Sequence, residues 1–416
     1  MALVLKMDAD RKWKKVILLV DMNCFFAQIE QQDNPFLRNR PVAVTNGIQG
    51  STIITSSYEA RAYGVKTGMR LKEARRLCPD LIQAPSRPYR YAEVSTKIMI
   101  SLQSITPDLE VYSVDEAFLD VTYCQSLLGT PLQIAQRVKD AVSSVSGLTC
   151  SVGVSGDKTT AKYAAKLNKP DGLTQILPWE AEKILAPLHV TELSGINTGT
   201  ANFLKQYGVI NCGDMKNIPI SIPAKRFGNL GRRLWLMAQG KDPEAVITKI
   251  KEPKTIGHGK VMPPQTKDLA TILTYFQHMS QKVASRLRKH QFKASQFYIG
   301  LKTEQGWLHT KVKLHTAIDD GQTLFIKCRQ FTMKSWQGQG AWQVQVTALD
   351  PHSERQTDLF AETKVDNKRE RLNHAIDEIN QRYGEFTVAP SRLLDRSAMP
   401  NVIAPAWKPF GHRKTI

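Results

Sequence analysis

Residues 113–120 read Ser-Val-Asp-Glu-Ala-Phe-Leu-Asp, which places two adjacent carboxylates inside an otherwise apolar stretch. Apolar residues on both sides of the two acids predict two short strands joined as a hairpin. Neighbouring acids repel each other, and their desolvation costs free energy unless a cation lies between them. Asp115 and Glu116 therefore indicate a divalent metal site, and a solvated turn without a ligand is the competing interpretation.

A third acid follows a second predicted strand. Residues 16–20 form the continuous apolar run Val-Ile-Leu-Leu-Val, which predicts a buried central strand with Asp21 at its carboxyl end. Asp21, Asp115 and Glu116 could together hold two hard cations about 3.5–4 Å apart, the spacing of two-metal phosphoryl transfer. One ion would activate an attacking hydroxyl, and the other would hold a triphosphate.

The charge of the chain suggests a polyanionic partner. The formal net charge is +19 over 416 residues, and sixteen Lys or Arg stand against five Asp or Glu between Lys249 and Gln337. Basic surfaces bind nucleic acids with release of counterions, so this stretch is the candidate nucleic-acid surface; a solvated charged face is the alternative. The length predicts several domains with separate cores.

The cysteines and the N-terminal region suggest where the protein works. The six cysteines include no Cys-x-x-Cys pair, and the histidines include no His-x-x-x-His pair. A zinc ribbon, a disulfide framework and a histidine metal site are therefore not predicted, and a reducing compartment fits. The first apolar run is too short for a signal sequence, and no run is long enough to span a membrane. We expect a cytoplasmic protein with no membrane partner.

Two further segments are candidates for binding phosphate. Residues 55–61 read Thr-Ser-Ser-Tyr-Glu-Ala-Arg, a predicted helix start where hydroxyls, backbone amides and a guanidinium can meet a triphosphate. Residues 166–172 read Lys-Leu-Asn-Lys-Pro-Asp-Gly and predict the end of a helix in a sharp turn that directs Lys169 to the site. Each segment alone is an ordinary helix boundary, and the nearby acids favour the ligand interpretation.

Together these segments resemble, in order and spacing, the signature set of the Y-family translesion DNA polymerases, with bacterial polymerase IV and the polymerase V group nearest. The resemblance rests on residues 21–26, 57–61, 113–120 and 168–172, and it covers about Val16 to Phe360. It implies an α+β multidomain right-hand polymerase. The implied parts are an α/β palm (1–24 and 88–178), small fingers (25–87), a helical thumb with a helix-hairpin-helix motif (179–246), a linker (247–254), an α/β little finger that binds DNA (255–351) and a C-terminal tail (352–416).

The resemblance also implies which residues bind metal and select the sugar. Asp21, Asp115 and Glu116 would be catalytic and, with the backbone carbonyl of Met22, would bind two Mg²⁺ ions, for which Mn²⁺ is an alternative. Phe26 matches the steric gate, an aromatic ring that clashes with a ribose 2′-hydroxyl and so selects deoxynucleotides.

The incoming deoxynucleoside triphosphate would contact the phosphate-binding candidates, which are Thr55, Tyr58, Arg61 and Lys169. Asn23 departs from the family pattern, because many relatives have a second Asp at that position. The matching position resembles one whose side chain does not bind metal, so we expect catalysis to survive this difference.

The predicted thumb contains the second departure. Residues 193–199 resemble a helix-hairpin-helix turn with Asn197 in place of the usual second glycine, and Asn is the non-glycine residue that best tolerates a positive φ. The resemblance implies that backbone amides at Gly195, Asn197 and Gly199 bind a DNA phosphate without reading sequence. A helix connection without a ligand is the alternative.

The predicted little finger combines a helix with several strands. Apolar residues at helical spacing between Leu269 and Leu287 predict a helix with Thr266 as its cap. Alternating patterns predict strands at residues 297–301, 308–314 and 342–346. The predicted DNA contacts are Arg286, Arg288, Lys311 and Lys313.

The C-terminal region contains a candidate recruitment peptide. Residues 356–360, Gln-Thr-Asp-Leu-Phe, resemble the clamp-binding peptide of bacterial polymerases, in which Gln356 would fix the register and Leu359 and Phe360 would be buried anchors. Residues 369–383 have helical spacing, and the prolines within residues 390–409 predict an extended chain. This tail either docks on the core or binds a recombination or accessory protein.

We therefore expect a template-directed DNA polymerase that performs low-fidelity translesion synthesis in DNA repair and the SOS response, without proofreading. Its expected partners are primer-template DNA, deoxynucleoside triphosphates and the bacterial sliding clamp, in a nucleoid-associated cytoplasmic location. A non-catalytic clamp or DNA adaptor is one alternative, but such a protein would be expected to lose the metal acids. A nucleotide cyclase is another, but it would not need the thumb, the basic C-terminal domain or the clamp peptide.

Overall fold

The structure is a computed structural model that describes residues 13–48, 50–250, 252–353 and 363–396. The chain divides into two compact units, one that runs to Ile250 and one over Lys251–Ala398. Within the described ranges, no helix has both the length and the apolar character needed to cross a bilayer.

The first unit contains two sheets and a series of helices. Its strands are β1 (Ile17–Met22), β2 (Val42–Thr45), β3 (Ile53–Ser56), β4 (Ile82–Pro85), β5 (Leu109–Val111), β6 (Glu116–Asp120), β7 (Cys150–Ser155) and β8 (Leu173–Gln175). Its helices are α1 (Phe25–Asp33), α2 (Tyr58–Ala62), α3 (Leu71–Leu77), α4 (Pro88–Gln103), α5 (Gln125–Leu128), α6 (Pro131–Ser146), α7 (Lys158–Leu167), α8 (Ala181–Leu185), α9 (Thr198–Lys205), α10 (Ser221–Phe227) and α11 (Asn229–Met237).

The larger sheet confirms the predicted central strand and hairpin. Its order is β5-β6-β1-β7-β8, and β1 is antiparallel to both β6 and β7. β5 and β6 form the hairpin, with Leu109 opposite Leu119. Leu18 and Leu19 are both fully buried although they point to opposite faces of β1. Both faces of the sheet are therefore covered, which explains why the apolar run is continuous.

Helices cover the two faces of this sheet. α4 and α6 contribute to the main core on one face, while α7 packs on the other through Ala161 and Ala165. A Cβ at Gly153 of β7 would lie 2.0 Å from the carbonyl oxygen of Ala161 and 2.3 Å from the amide of Ala165. A glycine is therefore needed for α7 to approach the sheet this closely.

The first unit has two smaller cores outside this sheet. The sheet β3-β2-β4 packs with α2 and α3 around residues that include Ile53 and Ala74. A separate core that includes Leu204 and Leu234 joins α8 to α11. Separate cores of this kind fit a division into palm, fingers and thumb, whose exact boundaries stay predictions.

The second unit is an antiparallel sheet with helices on one face. Its elements are β9 (Ile256–Thr266), α12 (Leu269–Lys289), β10 (Phe292–Thr303), β11 (Gly306–Ile318), α13 (Gly321–Ser335), β12 (Ala341–Ala348), β13 (His352–Ser353) and α14 (Thr363–Tyr383). The sheet order is β11-β10-β12-β9, and β13 pairs with β10. The three predicted strands are confirmed within β10, β11 and β12. α12 and α13 pack on the sheet through a core that includes Phe276, Ile299 and Leu324.

The predicted cap of α12 is wrong. Thr266 is the last residue of β9, and the helix begins two residues after the predicted cap would place it. The side chain of Asp268 accepts hydrogen bonds from the amides of Ala270 and Thr271. A carboxylate at this position also faces the positive end of the helix dipole, which explains why it caps the helix instead of the threonine.

The predicted tail helix is confirmed, and it docks on the second unit. Asp377 of α14 pairs with Arg288 of α12, and Glu370 pairs with Lys293. The described part of the tail thus contacts the second unit, and binding of a recombination or accessory protein stays a prediction. The predicted extended chain is wrong over Ser391–Asp395, which forms a 3₁₀ turn with Leu393 fully buried.

Candidate active site

Three acidic residues lie on adjacent strands at one end of the larger sheet of the first unit. Asp21 of β1 lies directly opposite Glu116 of β6, and the amide of Met22 donates a 2.9 Å hydrogen bond to the carbonyl of Asp115. The hydroxyl of Ser113 donates a 2.6 Å hydrogen bond to Asp115 Oδ1. Directly opposed residues of an antiparallel pair have Cβ atoms about 4.5–5.5 Å apart, and like charges there repel. The hairpin and the central strand therefore bring these acids to adjacent strands, and their role as metal ligands stays a prediction.

Burial makes the ionised form of these acids unfavourable. It raises the pKa of Asp21 to about 7; Lys169 opposes this rise, and Glu116 adds to it. Burial also raises the pKa of Asp115, while the hydrogen bond from Ser113 opposes the rise. Such shifts mark a site that requires positive charge from its surroundings.

Two lysines supply positive charge to this site. Lys169 Nζ lies 2.5 Å from Asp21 Oδ2, and Lys162 Nζ lies 2.8 Å and 2.7 Å from the two carboxylate oxygens of Glu116. In the described part of the chain, no three Asp, Glu, His or Cys side chains converge closely enough to hold a metal ion. The donor set nevertheless fits a hard cation, because Mg²⁺ prefers carboxylate and carbonyl oxygens.

Sequence reasoning predicted Lys169 at the site and missed Lys162. Lys162 lies on α7, seven residues before Lys169, which is about two helical turns. The seven-residue spacing from Lys169, a predicted site residue, was the one feature of the sequence that pointed to Lys162. The partner of Lys162 could not be identified from it, because Glu116 is 46 residues away in sequence.

Asn23 directly follows β1, and its side chain makes hydrogen bonds at the start of β7. Its amide nitrogen donates to Thr149 Oγ1 at 3.0 Å, and its oxygen accepts from Ser151 Oγ at 2.9 Å. Ser151 Oγ in turn accepts a 3.2 Å hydrogen bond from the amide of Gly172. The Asn23 side chain thus faces β7, in keeping with the expectation that it does not bind metal.

The turn that carries Lys169 is anchored from α6. Lys139 Nζ lies 2.6 Å from Asp171 Oδ1 and 3.2 Å from the carbonyl oxygen of Cys150. A Cβ at Gly172 would lie 2.2 Å from the carbonyl oxygen of Asn168, so only glycine fits there. These contacts fix the backbone from which Lys169 reaches Asp21.

The predicted phosphate-binding residues occupy the start of α2. The Ser57 side chain caps the helix, and Arg61 Nε donates a 3.0 Å hydrogen bond to the carbonyl of Ser56. The Arg61 guanidinium lies 4.9 Å from the centre of the Tyr58 ring. The Tyr58 hydroxyl is buried and has no hydrogen-bond partner among the described residues. Thr55 lies next to this helix start, in β3.

The predicted steric gate is held by a buried stack. The Phe26 ring stacks on Tyr91 of α4 with 4.3 Å between ring centres and 15° between planes. The Tyr91 hydroxyl donates a 2.6 Å hydrogen bond to Glu30 Oε1, and Arg87 Nε lies 2.9 Å from Glu30 Oε2. Sequence reasoning missed Tyr91 and Glu30, because α1 and α4 are distant in sequence and no motif links them.

The predicted thumb hairpin differs from expectation at Asn197. Its φ is −88°, in the extended region, and its side chain caps α9 by accepting a 2.8 Å hydrogen bond from the Thr200 amide. The positive φ, +96°, is at Gly195 instead. The predicted positive φ at Asn197 is therefore wrong. Asn is a strong helix cap, and this residue adopts that role here. Gly199 lies in the first turn of α9, and the element before the hairpin is a 3₁₀ turn, Val190–Glu192.

Two of the four predicted DNA contacts in the second unit bind protein groups. Arg288 lies 2.5 Å and 2.8 Å from the two carboxylate oxygens of Asp377, and Arg286 Nη1 donates to the carbonyl of Gly257 at 2.8 Å. Both guanidiniums therefore have acceptors within this unit, and the DNA contacts predicted for Arg286 and Arg288 stay predictions. Arg288 is directed there by a tail helix that the charge pattern did not reveal.

The other two predicted DNA contacts lie on the open face of the sheet. Lys311 and Lys313 are exposed on β11, opposite Tyr298 and Gln296 of β10. Helices pack on the other face, so this face can receive a ligand. The predicted clamp contacts, Gln356, Leu359 and Phe360, lie outside the described residues.

Comparison with known proteins identifies matches along both units. The model of the impB/mucB/samB family matches residues 20–166, and the model of its C-terminal domain matches residues 253–359.

Several relatives are named DNA polymerase IV. One from Moorella thermoacetica is 35% identical over 380 residues, which cover 89% of this chain and 94% of the relative. One from Bacillus anthracis is 32% identical and covers 89% of this chain and 91% of the relative. A solved Y-family DNA polymerase chimera has a TM-score of 0.70 and 26% identity, covering 82% of this chain and 100% of that chain. The similarity thus extends over nearly the full length of these relatives.

Proposed function

The chain belongs to the Y family of DNA polymerases and is a DNA-directed DNA polymerase with a right-hand fold, and we propose that it performs low-fidelity translesion synthesis with two divalent cations in the palm. The family uses a divalent metal, generally Mg²⁺. The observation that carries the proposal is the placement of three acids on adjacent strands, where Asp21 lies directly opposite Glu116 and the amide of the next residue, Met22, bonds to the carbonyl of Asp115. Damage tolerance in the nucleoid and during the SOS response belongs to the same proposal.

The proposed metal ligands are these three carboxylates and the carbonyl of Met22. Bound Mg²⁺, or Mn²⁺ in its place, would lower the pKa of the primer 3′-hydroxyl and neutralise charge on the triphosphate. The carboxylates orient the site because they lie on adjacent strands of one sheet, and the hydrogen bond from Ser113 fixes the rotamer of Asp115. Ser113 is therefore a positioning residue.

The proposed triphosphate contacts are Thr55, Tyr58, Arg61 and Lys169. Two observations support them. The buried Tyr58 hydroxyl has no partner among the described residues, which costs free energy unless a ligand supplies one. Lys169 lies against Asp21, so its ammonium group is at the carboxylate cluster where the phosphates would bind. A forked guanidinium at Arg61 is suited to phosphate oxygens.

Primer extension tests the activity directly. The protein is incubated with primed DNA, the four deoxynucleoside triphosphates and Mg²⁺, and the products are separated by length. Extension of the primer supports the proposal, whereas binding of DNA without extension would support an adaptor. Formation of a cyclic nucleotide would support a cyclase. Templates with defined lesions then test translesion synthesis, and arrest at every lesion would contradict that part of the proposal.

We propose Phe26 as the sugar gate, positioned by Tyr91. The stacked pair gives the Phe26 ring little room to move, so a ribose 2′-hydroxyl would clash with it. Phe26→Ala should raise incorporation of ribonucleotides relative to deoxynucleotides in the same primer-extension assay. Unchanged sugar discrimination in a variant that still extends with deoxynucleotides would remove this assignment.

The proposed partners of the polymerase are primer-template DNA and the sliding clamp. DNA would contact backbone amides at Gly195, Asn197 and Gly199, together with Lys311 and Lys313 on the open sheet face. Clamp recruitment would use Gln356, Leu359 and Phe360. Alanine at Leu359 and Phe360 together should abolish stimulation by the clamp and leave distributive synthesis unchanged. Equal loss of both activities would indicate a role in folding.

A further inference from the structure

Helix α7 presents a lysine to a carboxylate at each of three successive turns. Lys158 Nζ lies 2.7 Å from Glu110 and 2.8 Å from Glu244, and Lys166 pairs with Glu192. Lys162, between them, contacts both oxygens of Glu116. Residues four apart lie on one helix face, so these three lysines form a row, and only the middle one contacts a proposed metal ligand.

The position of the Lys162 ammonium group is fixed from two sides. Its Nζ lies 4.5 Å from the centre of the Tyr112 ring, a distance typical of a cation–π contact. The Tyr112 ring in turn packs edge-to-face on Phe118 of β6 at 5.3 Å. Tyr112 and Glu116 belong to the same hairpin, which therefore holds the ammonium group through both a ring and a carboxylate. This arrangement is more specific than a single exposed ion pair.

We propose that Lys162 is a positioning residue whose ammonium group, when no metal is bound, holds the Glu116 carboxylate as a divalent cation would. A metal ion that binds Glu116 must therefore displace this ammonium group or bind against its positive charge. This inference rests on the proposed function, because it takes Glu116 as a metal ligand. Without metal, Lys162 offsets the repulsion between Glu116 and the neighbouring acids and keeps the carboxylate ordered. When a metal ion is bound, the Lys162 ammonium group lies close to that ion, and the repulsion between the two positive charges weakens metal binding.

A structural ion pair and this role predict different effects on metal affinity. If Lys162 only attaches α7 to β6, its loss lowers stability equally with and without metal and leaves affinity unchanged. If it competes with the metal, removing its charge strengthens metal binding. Like charges a few ångströms apart repel each other appreciably even at high effective dielectric, so we expect a change of about tenfold at low salt.

The experiment measures Mn²⁺ binding to the full chain without DNA or nucleotide, by electron paramagnetic resonance of free Mn²⁺. Lys162→Met keeps the length of the side chain and removes its charge, and it should bind Mn²⁺ about tenfold more tightly than the unsubstituted protein. Its thermal unfolding temperature should fall in EDTA and recover when Mn²⁺ is added. Lys162→Gln is the second neutral variant if the methionine variant does not fold.

Two control variants separate charge from helix packing. Lys166→Met removes the next lysine of the row, whose partner Glu192 is not a proposed metal ligand, and should leave Mn²⁺ affinity unchanged. Lys162→Arg retains the positive charge and should bind Mn²⁺ as the unsubstituted protein does. Unchanged or weaker Mn²⁺ binding by both neutral variants at position 162 would overturn the inference.

The proposed metal site itself is checked in the same assay. Asp115→Asn should bind Mn²⁺ more weakly than the unsubstituted protein. If Asp115→Asn binds Mn²⁺ normally, the proposed metal ligands are wrong. If it binds weakly but Lys162→Met binds as the unsubstituted protein does, only the inference about Lys162 fails.

Discussion

The palm and the second unit each bury a cluster of like charges, but of opposite sign. In the palm, burial raises the pKa of Asp21 to about 7, and Glu116 adds to the rise. In the second unit, burial lowers the pKa of His278 to about 3, and Lys260 and Lys282 add to the fall. Both clusters are unfavourable by themselves, so each needs charge of the opposite sign.

The two regions obtain that opposite charge differently. In the second unit the carboxylates come from the tail, where Glu385 lies 3.1 Å from Lys282 and Asp377 pairs with Arg288. In the palm the acids contact two partly exposed lysines, and the donor set fits a hard cation. The difference teaches that a concentration of charge in a sequence does not identify its partner, which can be a ligand or another part of the chain.

The largest expected effect is the loss of polymerase activity when an acid of the palm is replaced. Asp115→Asn should lower the rate of primer extension by roughly a thousandfold or more, because several kcal/mol of transition-state stabilisation depend on the bound metal. Affinity for primed DNA should be unchanged, as measured by fluorescence anisotropy. Asp108→Asn, at an exposed carboxylate near the start of the same hairpin, is the control and should retain full activity. Comparable extension by both variants would contradict a catalytic role for Asp115.

In the second unit, loss of a carboxylate should lower stability and leave polymerase chemistry intact. Asp377→Asn leaves the mostly buried Arg288 without its charged partner and should cost on the order of 2 kcal/mol, less than for a fully buried pair. Hydrogen exchange of α12 measures this loss as faster exchange. Glu378→Gln, at the exposed neighbouring position, should have little effect. A large loss of intrinsic extension rate in Asp377→Asn would remove the contrast between the two regions.

The buried histidine predicts acid sensitivity of the second unit. Since folding lowers the pKa of His278 from 6.5 to about 3, between these pH values the unfolded chain binds a proton that the folded chain does not. Stability therefore decreases as the pH falls through this range, by about 2 kcal/mol between pH 6.5 and pH 5. Hydrogen exchange of α12, corrected for the intrinsic effect of pH, should show this loss. His278→Gln should reduce it, and an equal loss in this variant would assign the effect to other groups.

The smallest expected effect concerns the exposed lysines of the second unit. Lys311→Ala or Lys313→Ala should each weaken DNA binding and reduce the slope of log affinity against log salt concentration by about one. Arg329→Ala removes an exposed positive charge from α13, on the helix-covered face, and serves as the matched control. If the control changes the slope as much as the lysine variants do, the open face is not the DNA-binding surface.

Local patterns predicted much of the fold and part of the site. The continuous apolar run of β1, the alternating strands of the second unit and the helical spacing of α14 are all confirmed. Asp21, Asp115 and Glu116 lie at one end of adjacent strands, because the hairpin pairs with the central strand. Lys169 was also predicted to face the site, since the turn after α7 restricts the direction of its side chain.

The remaining features depend on contacts between residues far apart in sequence. Tyr91 of α4 stacks on Phe26 of α1. Lys162 contacts Glu116 of β6 from α7, a helix that packs on the sheet. Asn197 was expected to have a positive φ, as a glycine would. It caps α9 instead, because its side chain accepts a hydrogen bond from the Thr200 amide.

The sequence by itself determined the central strand and its hairpin, three strands of the second unit and the helices α12 and α14, because these follow from the periodicity of apolar residues. Only the tertiary structure decided which charges are paired within the chain and which remain for a ligand. Arg288 and Lys311 are both basic residues in the same basic stretch, yet one is bound by the tail helix and the other is exposed on a sheet face. The physical reason is that an ion pair depends on distance in space, which the spacing of charges along the chain does not specify.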